Sequence, residues 1–154
     1  RLIKSDEEIK YMKIASQITQ LGMKTAFDAI NPGVRQCDAV AKIYSTLISG
    51  TKKHGGDYSS IVPLIPTGKG TSASHLSWTD DKFVEGEASI IEISGVYKKY
   101  HCPMARTVLL GKPDQKKIDT MKRTREALQA GIEVTKPGNT ADGVAKAIWK
   151  GLDK

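Results

Sequence analysis

One pattern occurs twice in this sequence, and it limits the fold more than any other feature. The turn Pro32-Gly33 is followed by the segment 40–42 (Val-Ala-Lys), and about a hundred residues later Pro137-Gly138 is followed by the same three residues at 144–146. Apolar residues at helical spacing flank both turns, so a helix, a turn and a second helix are predicted twice. Short β-branched runs follow only the first copy. The sequence therefore predicts an α+β chain whose second repeat is truncated before its strands.

The predicted elements follow from local signals. A capping box at Ser5 begins the first helix, and the second helix ends at Gly50. The predicted strands are residues 61–65, 88–93 and 107–110; helices begin at Asp114 and near Thr140. Residues 1–111 would form the first repeat and residues 112–154 two helices of the second. Because the chain starts with Arg1 and stops inside a helical pattern, we expect it to be part of a longer polypeptide.

Composition excludes several classes of protein. With 39% hydrophobic and 27% charged residues, the chain is typical of a globular domain. It has neither an apolar run near eighteen residues nor the apolar core of a signal peptide, so we expect a cytoplasmic protein without a membrane partner. The net charge of +7 raises nucleic-acid binding as an alternative. The basic residues of segment 116–125 fall between apolar ones, as on a solvated helix face, and no aromatic platform accompanies them, so this alternative is disfavoured.

A few polar residues stand out as candidates for chemistry. His75 follows a glycine-rich turn, which fails the phosphate-loop pattern, and it either points into a cleft or is structural. Glu92 interrupts an apolar strand, so it either faces a polar cavity or neutralises an internal cation. Tyr97, Tyr100 and His101 form a polar aromatic cluster, which is a binding site or merely a rim at the strand ends.

The segment Ile91–Thr107 resembles the central signature of the pita-bread superfamily of aminopeptidases and creatinases. The opening Ile3–Ile9, both Pro-Gly turns, and Ser74-His75 followed by Trp78 support the resemblance, which covers essentially the whole chain. It implies a pita-bread fold with a curved antiparallel sheet and covering helices, present here as a partial catalytic domain over residues 1–154. It also implies a homodimer for the full-length protein.

Two departures from that signature bear on metal binding. The metallopeptidases of the superfamily carry two Asp ligands in this half of the domain, where this chain has Glu92 and Pro103. Proline has no ligating side chain, and a hard divalent pair needs bridging carboxylates, so we expect no metal and no other cofactor. This pattern resembles the metal-free creatinase branch. However, Ala105 replaces the Glu that precedes Arg-Thr in creatinase, and the ectoine hydrolase branch is more similar.

The resemblance implies hydrolysis of a non-peptide C–N bond in a small cyclic amidine, most similar to ectoine ring opening to an acetylated diaminobutyrate. In such a hydrolase Glu92 would pair with the amidinium and accept a proton from water, and His75 would be the second proton-transfer group. Tyr97, Tyr100, His101 and Arg106 would bind this small-molecule substrate, although Arg106 is equally compatible with a structural ion pair. The alternatives are an Xaa-Pro dipeptidase or other metallo-aminopeptidase, and a non-catalytic pita-bread binding module. Residues 1–154 alone are expected to be inactive.

Overall fold

The computed structural model describes residues 3–153 as helices flanking one β-hairpin. The helices are α1 (Asp6–Ala29), α2 (Gln36–Ser49), α3 (Gln115–Val134) and α4 (Ala141–Leu152), and the strands are β1 (Ala88–Tyr97) and β2 (Tyr100–Leu109). The capping box predicted at Ser5 is confirmed, since its hydroxyl accepts from the amide of Glu8 and the Glu8 carboxylate accepts from the amide of Ser5. The predicted starts of α3 and α4 are confirmed, and the side chains of Asp114 and Thr140 cap these helices by accepting from the amides of Lys117 and Gly143.

The two strands pair antiparallel in an unbroken register from Ala88 opposite Leu109 to Tyr97 opposite Tyr100. The predicted strand at residues 61–65 is wrong, because the structure has no continuous strand there. Instead, two isolated bridges, Leu64 to Glu92 and Thr67 to Ser89, hold this segment along the outer edge of β1. Pro66, which follows the segment, accepts from the amide of Ile90 at 3.0 Å but has no amide hydrogen to donate in return, and this interrupts the ladder.

Helix α1 covers one face of the hairpin and packs on both strands and on α2. The core between them consists mainly of apolar side chains, which include Ile18, Met23, Ile43, Leu47, Phe83, Ile91 and Ile93. The side-chain hydroxyl of Thr19 lies between β1 and β2 where α1 crosses the hairpin. Thr19, which is 0% exposed, accepts from the amide of Gly95 at 2.9 Å, and its oxygen lies 2.6 Å from the carbonyl oxygen of Cys102. The hydroxyl therefore bridges β1 to β2 at a register pair.

The chain divides into two compact units between Lys112 and Pro113. The second unit is the helix pair α3–α4, and glycines lie at close approaches in both helix pairs. In the first unit Gly22 lies against Leu47, and a Cβ added to that glycine would be 2.5 Å from the Leu47 side chain. In the second unit Gly131 of α3 lies against Ile148, with a corresponding distance of 2.6 Å, and Gly151 of α4 lies against Ala127, at 2.7 Å. The interface of α3 and α4 therefore contains a glycine from each helix.

None of the helices within residues 3–153 has the length and apolar character required to cross a membrane.

Candidate active site on the Glu92 face

Strand alternation divides the hairpin residues between two faces. Ser89, Ile91 and Ile93 of β1 are buried against the helices. Glu92 points to the opposite face, where its side chain is 31% exposed. Cross-strand partners share a face, so this surface, called here the Glu92 face, also carries Leu64, Ser94, Pro103, Ala105 and Thr107. None of these five neighbours of Glu92 is charged.

Main-chain hydrogen bonds fix the position of Glu92 between two neighbours. Its amide donates to the carbonyl of Leu64 and its carbonyl accepts from the amide of Leu64, both at 2.9 Å. Both backbone groups of Glu92 therefore point away from β2. Glu92 and Ala105 consequently form a non-hydrogen-bonded pair, the kind in which facing side chains approach most closely.

His75 lies beside the Glu92 carboxylate. It follows a short 3₁₀ helix, Gly68–Ser72, and its φ of 60° places it in the left-handed region, where His is more common than most side chains. Its Nε2 is 3.9 Å from Oε2 of Glu92, and the imidazole is 72% exposed. That distance is too long for a direct hydrogen bond and short enough for an ion pair or for one bridging water. The structure thus brings together the two residues predicted to be catalytic.

Tyr97 and Tyr100 lie at the other end of the hairpin. The Tyr100 hydroxyl donates to Oε1 of Glu8 at 3.0 Å, and the ring of Tyr11 contacts both tyrosine rings at centroid distances of 5.7 and 5.6 Å. Tyr97 is five residues from Glu92, about 16 Å along an extended strand. These tyrosines fasten the hairpin to α1, and the structure does not bring them to Glu92.

His101 shares the Glu92 face but is held in a separate contact. Its Nε2 lies 3.1 Å from the amide of Ser60, and its Nδ1 lies 3.1 Å from the carbonyl of Lys99. Because an amide donates and a carbonyl accepts, these partners require a neutral ring with its proton on Nδ1. His101 pairs with Val96, four residues from Glu92, or about 13 Å. In this structure its ring nitrogens are engaged in fixing the segment around Ser60.

An ion pair at the tip of the hairpin reinforces that contact. Lys99 Nζ lies 3.3 Å from Oδ1 of Asp57 and 3.9 Å from the centroid of the Tyr58 ring. The side-chain hydrogen bond from Lys99 lowers the pKa of the Asp57 carboxyl below its ordinary value. The charged groups at this end therefore serve to hold the loop onto the hairpin.

Arg106 lies on the face opposite to Glu92. It pairs with Ile91, whose side chain is 0% exposed in the core, so the structure does not place Arg106 on the same face of the hairpin as Glu92. Its Nη1 donates instead to the carbonyl of Ala105 at 2.7 Å. The carbonyl of Ala105 points away from β1, because Ala105 belongs to a non-hydrogen-bonded pair. Arg106 therefore covers an acceptor on the outer edge of β2.

Two neighbours of Glu92 were not predicted as site residues. Leu64 lies in a segment that pairs with β1 only through isolated bridges, and Ala105 is small and chemically inert. The β-branched residues of the 88–93 segment indicate a strand, but no local signal in the sequence fixes which β2 residue faces Glu92. Only the register supplies that information.

The comparison with known families agrees with the fold. The model of the family described as metallopeptidase family M24 matches residues 10–154. The chain belongs to this family. Its hairpin and covering helices are those of the pita-bread fold, since the chain superposes on prolidase from Pyrococcus furiosus with a TM-score of 0.87 at 24% identity, over 99% of this chain and 44% of that one. For the Xaa-Pro dipeptidase from Bacillus anthracis the TM-score is 0.88 at 25% identity, over 99% and 42%.

Curated relatives include hydrolases of two kinds. Ectoine hydrolase from Halomonas elongata is 42% identical over 100% of this chain and 40% of its own length. The Xaa-Pro dipeptidase from Pyrococcus furiosus is 28% identical over 97% of this chain and 43% of its own length. The chain thus spans about two fifths of the length of these relatives.

The family name implies a metal, and the donors on the Glu92 face can be tested against it. Of the two diagonal positions that would carry bridging carboxylates, Glu92 has a ligating side chain and Pro103 has none. His75 adds one nitrogen. Within residues 3–153 no group of three or more His, Cys, Asp or Glu side chains is placed to hold a metal ion. The described donors therefore do not fit a metal centre.

Proposed function

We propose that the full-length protein is a hydrolase that opens a C–N bond in a small cyclic amidine, with ectoine as the first candidate, and that it needs no metal ion. The observation that carries this proposal is a single half-buried carboxylate, Glu92, on an otherwise uncharged face with the His75 imidazole 3.9 Å away. A delocalised cation suits such a partly desolvated carboxylate. The 42% identity to ectoine hydrolase supports the same assignment.

In the proposed reaction Glu92 binds the amidinium and acts as the base, and His75 relays the proton. One oxygen of Glu92 accepts a hydrogen bond from the amidinium N–H, and the other accepts a proton from water as the water oxygen bonds to the amidinium carbon. Collapse of the tetrahedral adduct breaks one C–N bond, and the departing nitrogen receives the proton, with His75 as the relay. Amidinium and water thus become an amide and an ammonium group, so atoms and charge balance.

The test uses the full-length protein with a chelator and ectoine, with ring opening followed by proton NMR. Glu92→Gln preserves shape and removes the base, so kcat should fall by roughly 10²-fold or more. Glu126→Gln, on exposed helix α3, is the matched control and should leave turnover unchanged. Near-normal turnover by Glu92→Gln would refute the assigned role.

A second candidate, an Xaa-Pro dipeptidase, is favoured by the superpositions on prolidases and by the family itself. Pro103 and the donor count within the described residues oppose it. Cleavage of an Xaa-Pro dipeptide that appears with manganese or cobalt and disappears with chelator, without any ring opening, would replace the amidine hydrolase by this candidate.

A further inference from the structure

Ala105 is the nearest cross-strand neighbour of the Glu92 side chain. The two residues form a non-hydrogen-bonded pair, because both main-chain groups of Glu92 bond to Leu64 on the other side. Facing Cβ atoms in such a pair lie about 4.5–5.5 Å apart. Ala105 is exposed, so only a methyl group bounds the carboxylate on the β2 side.

The charge around this pair is low. Pro103 and Thr107 are the next β2 residues on the same face, and neither carries a charge. Arg106 is adjacent in sequence, but it lies on the opposite face and donates to the outer carbonyl of Ala105. The position facing Glu92 therefore controls two properties of the site: the free space beside the carboxylate and whether a second charge is present.

We propose that Ala105 is the specificity-determining residue of the Glu92 site. Its methyl group leaves room for a small planar ring beside Glu92, and its lack of charge leaves Glu92 as the one carboxylate among the described residues of this face, which suits a substrate with one delocalised positive charge. Larger side chains at this position exclude the ring, and an acidic one favours more highly charged cations. The assignment of the ring as substrate rests on the proposed function, whereas the adjacency and charge argument does not.

The first test measures binding of a small cation to the full-length protein, so it does not depend on turnover. Acetamidinium chloride is titrated at low ionic strength, and chemical shifts of the side chains on the Glu92 face are followed. A second carboxylate about 5 Å from the first adds Coulomb attraction, so Ala105→Asp should bind acetamidinium at least about fourfold more tightly. Ala105→Asn, which matches Asp in size and carries no charge, is the matched control and should bind no more tightly than the wild type, and Ala105→Leu should bind more weakly.

Equal affinities for Ala105→Asp and Ala105→Asn, or undiminished binding by Ala105→Leu, would overturn the assignment of Ala105.

The second test is kinetic and uses the full-length protein with ectoine. From Ala105→Val to Ala105→Leu, kcat/KM should fall in steps to roughly 10²-fold below wild type, mainly through KM, because added methyl groups fill the substrate space, whereas Ala105→Gly, which adds none, should show no such fall. The midpoint of thermal unfolding should stay nearly constant, since the side chain is exposed.

The two tests separate the two hypotheses. Suppose that neither the wild type nor any variant opens an amidine ring but the binding series behaves as expected. The proposed function is then wrong, and the role of Ala105 in cation recognition is supported. If ectoine is turned over and the series at Ala105 is flat in both assays, the function stands and the specificity assignment is wrong.

Discussion

Replacing Thr19 with valine removes the hydroxyl that joins α1 to both strands of the hairpin. That hydroxyl is fully buried, accepts from the amide of Gly95 at 2.9 Å, and lies 2.6 Å from the carbonyl oxygen of Cys102 and 3.0 Å from that of Ala15. A hydroxyl has one proton, so it donates to one of the two carbonyls, and the shorter distance favours Cys102. The Ala15 carbonyl loses little, because it retains the main-chain bond of the helix.

The cost follows from the groups left without partners. Gly95 is buried, and a buried amide without an acceptor costs about 1–3 kcal/mol. Thr19→Val should therefore lower the free energy of unfolding by about that amount. Thr19→Ser keeps the hydroxyl and loses one methyl group, so its loss should stay near 1 kcal/mol.

The assay combines urea unfolding with hydrogen exchange at the amide of Gly95. Thr19→Val should lower the urea midpoint and speed exchange at Gly95, whereas exchange in Thr19→Ser should stay close to wild type. If Thr19→Val unfolds at the wild-type midpoint, the strands have closed to bond directly and the bridging role is wrong. Equal losses in the valine and serine variants would also refute it, because the methyl group rather than the hydroxyl would then matter.

Three further outcomes can be measured on the same chain. Gly95→Ala should be among the most destabilising single substitutions, because its Cβ would lie 2.5 Å from a main-chain nitrogen of α1, while Gly55→Ala, with nothing closer than 3.9 Å, should be nearly neutral by thermal unfolding. The contact between Asp57 and Lys99 should persist above the ordinary carboxyl pKa and be lost only as pH falls through the lowered pKa of Asp57, as an NMR titration would show; a midpoint at the ordinary value would contradict this. Pro103→Asp should gain manganese binding by calorimetry, while Pro103→Asn should not, because only the former adds a second carboxylate to the Glu92 face.

The helices could be predicted because their signals are local. Ser5, Asp114 and Thr140 each cap a helix through a side chain that accepts from an amide three residues away, so sequence spacing is sufficient. The β-branched runs at 88–93 and 107–110 predict two strands, whereas the extension of these strands to Tyr97 and from Tyr100 is seen only in the structure. The predicted strand at 61–65 is wrong because Pro66 has no amide hydrogen to donate to β1, so isolated bridges alone attach the segment.

The sequence predicts those residues of the candidate site whose placement does not depend on the register between β1 and β2. Glu92 stands out by its chemistry within an apolar run, and His75 by its place after a turn. Arg106 was also predicted to be a substrate-binding residue. It follows Ala105, the partner of Glu92, by one position, and a shift of one residue along a strand moves a side chain to the other face. Tyr97 and Tyr100 are residue types that often line binding sites, but in the structure both rings contact Tyr11 of α1.

Pro103 shows how the chemistry of this fold can change while its backbone does not. It pairs with Ser94 two residues from the Glu92 and Ala105 pair, so its nitrogen also points away from β1. A proline there gives up no hydrogen bond of the β1–β2 ladder, and it removes a ligating position from the Glu92 face without disturbing the sheet. A superposition on prolidases at a TM-score of 0.87 therefore fixes the path of the chain and leaves the donor set open. In the proposed hydrolase, the side chains facing Glu92, rather than the fold, would decide which bond is broken.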